Sequence, residues 1–190
     1  CLAYTEAWAT TGEEIFRRTA MEIITYVLRD MTDPAGGFYT AEDADSEGEE
    51  GKFYLWTVKE IESVLGKEEA ALFSEAYGLE EEGNFVEEAT GRRTGENILH
   101  RLEAARATTG RELPADHREE RLAKAREKLF AVRSGRIRPT RDDKILTDWN
   151  GLMIAALARA AAVFSAPAYY DAARRAVDFV WERMVRTDGA

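Results

Sequence analysis

Two stretches of this sequence carry the residue types that acid–base chemistry needs. The first is Ala41-Glu42-Asp43-Ala44-Asp45-Ser46-Glu47-Gly48-Glu49-Glu50-Gly51, with six acids and no base. It follows Gly36-Gly37 and lies between the aromatic runs Phe38-Tyr39 and Phe53-Tyr54-Leu55-Trp56. Paired carboxylates act as general acid and general base, and sugars are often processed this way. Glu42 and Asp43 are the catalytic candidates here, with Asp45 and Trp56 as candidates for substrate binding. The structural alternative is an acidic loop held in solvent, which suits Glu47, Glu49 and Glu50 best.

The second stretch runs from Arg136 to Gly151, a polar loop that feeds into an apolar helix. Asp142 and Asp143 are the candidates for a second carboxylate. Arg138, Lys144, Trp149 and Asn150 are candidates for holding a substrate. An indole face can stack on a sugar ring, while carboxylates and amides fix hydroxyls. The structural alternative makes Asp148 a helix cap and Asp142–Lys144 an ion pair within the loop.

Other chemistries fit less well. Asp43, Asp45, Glu47 and Gly48 match the opening of an EF-hand loop. Its twelfth position would be Tyr54 where a bidentate Glu is needed, and the flanks read as strands. His100 and His117 have no second ligand at metal spacing. A phosphate-cradling glycine loop, a serine elbow and a Cys-x-x-Cys are all absent from the sequence. Neither a metal nor a cofactor is expected. The net charge of −10 repels phosphate backbones and anionic lipid, so neither nucleic acid nor a membrane is an expected partner.

Helices must position these loops. Residues 1–11, 13–31, 116–132, 149–164 and 168–186 have helical periodicity, with shorter helices from Thr57 to Gly66 and over 67–77. Thr57-Val58-Lys59-Glu60 is a capping box, and Asp33-Pro34-Ala35-Gly36-Gly37 stops the second helix. Phe38–Thr40 and Lys52–Trp56 read as an antiparallel pair around the acidic loop. Residues 79–97 are polar and irregular. Residues 16–31 align without a gap to residues 169–184, Phe16 on Tyr169, Ala20 on Ala173, Ile24 on Val177 and Leu28 on Trp181. Each copy follows another apolar helix, so one helical hairpin occurs twice. Repeated hairpins stack because one alone cannot bury its apolar face. The alternative is two generic amphipathic helices that match by chance. Cys1 is the single cysteine, which suits a reducing, cytoplasmic setting. The apolar runs are too short to span a bilayer, and both ends read as cuts through a longer chain.

Gly36 to Gly48 with Gly51 to Trp56, and Asp142 to Ile154, closely resemble two signatures of the spermatogenesis-associated protein 20 family. The resemblance covers nearly the whole chain. It implies a mainly α fold: part of an (α/α)6 toroid of the six-hairpin glycosidase type, with a small antiparallel β-hairpin insertion. Residues 1–190 would then be the middle of one barrel domain. Its partners in cis would be the remaining hairpins and an N-terminal thioredoxin-like domain. Many relatives have Ser before the Trp-Asn-Gly where this chain has Asp148, so Asp148 receives no family role. Two functions follow as expectations. One is a sugar-binding or carbohydrate-processing site with epimerase- or hydrolase-like acid–base chemistry. The other is a non-catalytic binding or scaffold module that accompanies the thioredoxin-like domain. An enzyme needs a carboxylate pair facing one cavity, whereas a scaffold leaves its carboxylates paired with cations or dispersed in solvent.

Overall fold

Helical periodicity accounts for most of the backbone. The computed structural model describes residues 1–87, 90–102 and 115–185. In chain order the helices are α1 (Leu2–Thr11), α2 (Glu14–Asp30), α3 (Val58–Leu65), α4 (Lys67–Tyr77), α5 (Ala115–Arg133), α6 (Thr147–Phe164) and α7 (Pro167–Arg183). Six two-residue strands complete the described elements: β1 (Ala41–Glu42), β2 (Asp45–Ser46), β3 (Glu49–Glu50), β4 (Trp56–Thr57), β5 (Glu96–Asn97) and β6 (Arg141–Asp142). The fold is mainly α with small antiparallel strand pairs. Among the described residues no helix is long and apolar enough to cross a membrane.

The sequence reads as one segment over residues 1–190, while its contacts divide into two compact units. The first holds Cys1–Asp43 and the chain from Arg141 onward, and the second holds Ala44–Thr140.

The first unit contains the repeated hairpin as α1–α2 and α6–α7. Helix α1 packs along α6. There Arg159 donates two hydrogen bonds to the Glu6 carboxylate, at 2.6 and 3.1 Å, between positions related by the repeat offset itself. Ile24, Phe38, Leu157, Ala160, Ala172, Ala173 and Ala176 form one buried cluster, dominated by small residues. Small side chains let helices approach closely, so the core is built from backbone proximity more than from side-chain bulk. The turn after α2 meets the same constraint. Gly36 has φ 113°, and a Cβ there would lie 2.8 Å from the Arg175 carbonyl oxygen. A Cβ on Gly37 would lie 2.8 Å from the Phe179 ring. Gly-Gly is therefore needed where this turn passes α7. The Asp188-Gly189 turn read after the second copy lies outside the described residues.

The second unit has larger core side chains. Trp56, Ile61, Leu65, Phe73, Leu122 and Leu129 belong to its buried cluster. Thr57 caps α3 as its motif predicts: the hydroxyl accepts from Glu60 N–H at 3.2 Å, and Glu60 Oε2 accepts from Thr57 N–H at 2.8 Å.

Strand pairing differs from the sequence reading in register. Phe38–Thr40 and Lys52–Trp56 do not pair with each other. A hairpin does occur, but inside the acidic loop, where β2 meets β3 with Ser46 opposite Glu49. Gly51–Tyr54 turns, as the Tyr54 N–H bonded to the Gly51 carbonyl at 2.7 Å requires. Trp56 then pairs with Asn97 in β4–β5. Aromatic residues at these positions satisfy a core, and the strand propensity they share does not fix their partners.

Candidate functional site

The two signature stretches meet in the first unit. Strand β1 pairs with β6, Ala41 opposite Asp142 and Glu42 opposite Arg141. Thr40 Oγ1 donates to the Asp142 carbonyl at 3.2 Å and extends the join. One turn into α6, Asn150 is 0% exposed. Its Oδ1 accepts from Phe38 N–H at 2.8 Å, and its Nδ2 donates to the carbonyls of Phe38 at 3.0 Å and Leu146 at 2.9 Å. A carboxamide offers both a donor and an acceptor, so it can satisfy an unpaired backbone residue from the side. Asn150 thus binds one signature to the other.

The carboxylates are arranged less favourably for paired catalysis. In a strand successive side chains point to opposite faces, and directly paired residues share a face. Glu42 therefore lies on the Arg141 side of the ribbon, and Asp142 on the Ala41 side. Glu42 is half-buried and accepts a 2.6 Å hydrogen bond from the Tyr26 hydroxyl. Asp142 accepts from the Lys144 ammonium at 3.0 Å and from the Lys144 backbone N–H at 3.2 Å. These bonds hold its carboxyl below the ordinary range. A general acid near neutral pH needs the opposite shift. Asp43 and Asp143 are exposed. Lys144 is exposed too, and Trp149 is 52% exposed. Asp148 does not cap α6: Leu146 is the N-cap residue, and Asp148 Oδ1 accepts from Trp149 N–H at 2.9 Å.

The other three expected ligand-binding residues lie in the second unit. Trp56 is buried in its core, with the Arg136 guanidinium 4.1 Å from the ring centroid. Arg136 also donates to the carbonyls of Leu55 at 2.6 Å and Phe53 at 3.1 Å. The Trp56 face is thereby covered from within the protein. Arg138 is exposed, and its guanidinium lies 5.4 Å from the Phe53 ring centroid. Asp45 is exposed and borders a cleft of about 790 Å³ that Glu49, Glu50, Lys52, Phe85 and Glu96 also line. Among the described residues no group of three or more His, Cys, Asp or Glu side chains is arranged to hold a metal ion.

Several polar partners escaped the sequence reading. Tyr39 donates to Asp33 Oδ2 at 2.8 Å, and the Arg141 guanidinium sits 4.0 Å from the Tyr39 ring centroid. Ala35 N–H donates to Asp33 Oδ1 at 2.7 Å. The Ala35 bond, then that of Tyr39, holds the Asp33 carboxyl below its usual value, and Asp33 in turn raises the Tyr39 phenol. The Asp33–Ala35 turn had a legible signal in Asp-Pro-Ala-Gly; the Tyr26–Glu42 bond had none.

No family model matches the chain. Human spermatogenesis-associated protein 20 is 38% identical over 182 residues, covering 85% of this chain and 23% of the human protein. The rat protein of the same name is 37% identical over the same shares. An uncharacterised protein of Caenorhabditis elegans, B0495.5, is 30% identical over 161 residues, 76% of this chain and 22% of that protein. The chain spans under a quarter of the length of these relatives.

Proposed function

The chain belongs to the spermatogenesis-associated protein 20 family, and from that premise we propose that this segment is a non-catalytic binding and scaffolding module. In the full-length protein it would accompany a thioredoxin-like domain, in a cytosolic setting that suits a segment with one cysteine. One observation carries this reading. The signature residues hold each other and their neighbours: Asn150 binds the Phe38 backbone, Glu42 accepts from the Tyr26 hydroxyl at 2.6 Å, and Asp142 accepts from the Lys144 ammonium at 3.0 Å, so the two carboxylates brought onto one ribbon are engaged by separate protein partners. An acid–base pair has to converge on one reacting atom.

A sugar is the ligand this surface would suit. The half-exposed Trp149 supplies a stacking face, and Asp143 and Lys144 supply hydrogen-bonding groups on the same loop-to-helix run. That observation favours binding without turnover over epimerase- or hydrolase-like chemistry.

The test is to incubate the full-length protein with glucose, N-acetylglucosamine and maltose and to follow the sugars by NMR. No epimerisation or hydrolysis is expected above that of a Glu42→Gln/Asp142→Asn variant. Conversion that disappears in the double variant would overturn the scaffold reading and restore the catalytic one. Calorimetry on the same sugars, with Trp149→Ala and Asp143→Ala, separates binding at the loop from none.

A further inference from the structure

The cleft of the second unit, about 790 Å³, falls within the roughly 300–1,000 Å³ that small-molecule sites occupy. Two strand pairs contribute to its lining. In β2–β3 Asp45 stands opposite Glu50, and in β4–β5 Thr57 stands opposite Glu96; all four line the cleft. Phe85 is tied to β5, its N–H donating to the Glu96 carbonyl at 3.0 Å, and it lines the cleft together with Glu87. Leu55, which is buried, and Phe85, which is half-buried, give the lining its apolar part.

The charge of the lining is one-sided. Asp45, Glu49, Glu50, Glu87 and Glu96 bring five carboxylates, against the single ammonium of Lys52. Lys52 is itself held by Glu49 at 2.7 Å and by Glu47 at 3.6 Å. Among the described residues no Lys or Arg pairs with Glu50, Glu87 or Glu96. Nor do the carboxylates converge on one point, since among the described residues no three are grouped to hold a metal ion. Negative charge spread along a cleft with apolar side chains in it suits positive charge spread along an apolar spacer. Methylene groups lie against apolar side chains while ammonium groups meet carboxylates, and an ammonium near an aromatic face gains further attraction.

We propose that this cleft binds a linear polyamine, a molecule whose ammonium groups are separated by short methylene chains. Glu50 and Glu96 hold separate ammonium groups, and Phe85 and Leu55 lie along the spacer between them. Lysine side chains of a protein offer the same chemistry, but a cleft of this volume takes a small molecule whole. The proposal needs neither the scaffold reading nor a sugar at the Trp149 loop. Polyamine binding can therefore fail while the sugar result stands, and the reverse.

The test is calorimetry of spermidine on the full-length protein, with butylamine, magnesium chloride and a blocked lysine peptide of equal charge as comparisons. The expected result is one saturable site that binds spermidine roughly tenfold or more tighter than butylamine, because linked charges bind as one ligand. Magnesium at equal concentration should not displace it. Glu50→Gln/Glu96→Gln should weaken spermidine roughly tenfold. Phe85→Leu, which leaves every charge in place, should weaken it about threefold. Urea unfolding checks that each variant is folded, and Glu50→Gln alone, at an exposed position, replaces the double variant if that one is not. Absence of saturable heat, unchanged affinity in the folded charge variants, or displacement by magnesium would overturn the proposal. Tighter binding of the lysine peptide than of spermidine would assign the cleft to a protein partner, and would overturn it equally.

Discussion

The two units each bury one asparagine completely, yet they fill the space around it differently. In the first unit Asn150 bonds to the backbone of Phe38 and Leu146, beside a core rich in alanine. In the second unit Asn97 makes five bonds. Its Oδ1 accepts from the N–H groups of Glu80 and Asn84, and its Nδ2 donates to the carbonyls of Trp56, Glu80 and Gly95. Around it the core is made of Trp56, Phe73 and branched aliphatics. The contrast separates two ways to stabilise irregular backbone. Where helices approach closely, a few bonds at one crossing suffice. Where loops are long, the carboxamide gathers several loop segments and bulky side chains provide the apolar burial.

The largest test of this contrast is Phe73→Ala in the second unit. Phe73 is buried and stacks on Tyr77 with ring centroids 4.3 Å apart. Its removal should cost about 3–5 kcal/mol through lost burial and a residual cavity. Urea unfolding followed by the fluorescence of Trp56, the one tryptophan of that unit, would measure it. A cost below about 1 kcal/mol would mean that bulk is not what holds the second unit.

Next come the asparagines. Asn97→Leu should cost about 3 kcal/mol and Asn150→Leu about 2 kcal/mol, because a buried polar group left without its partner costs about 1–3 kcal/mol and Asn97 leaves more of them. Equal costs in paired unfolding curves would erase the distinction. Loss at Asn150 should also speed amide exchange at Phe38, whose N–H it accepts.

The smallest effect is electrostatic and confined to the first unit. The Asp33 carboxyl is depressed by the Ala35 N–H and the Tyr39 hydroxyl. A depressed carboxyl contributes stability above its unfolded value of about 3.9, and that contribution is lost as pH falls through the lower folded value. Thermal unfolding below about pH 4 should therefore be less steeply pH-dependent in Asp33→Asn than in the native protein. Identical slopes would show that the turn's hydrogen bonds do not favour the ionised form.

How far the site was legible depended on distance along the chain. The helices, the Thr57 capping box and the Asp33–Gly37 turn are local patterns, written in spacings of a few residues. The acidic loop was legible as a loop, but the partner of each of its strands was not. Two-residue strands carry almost no register information, because propensity states only that a residue suits a pleated surface. Trp56 and Asn150 share the composition of a ligand site, and burial alone separates that from a core.

The sequence by itself determined which segments are helices, where they stop, that residues 16–31 and 169–184 share one apolar pattern, and the family to which the chain belongs. Tertiary structure alone decided that Phe38 and Asn150, 112 residues apart, share hydrogen bonds, and that Glu42 pairs opposite Arg141 and Ala41 opposite Asp142. The physical reason is the range of the forces that encode each feature. Helical periodicity and capping act within a turn or two, whereas strand partners and the burial of an amide are chosen by packing across the whole unit.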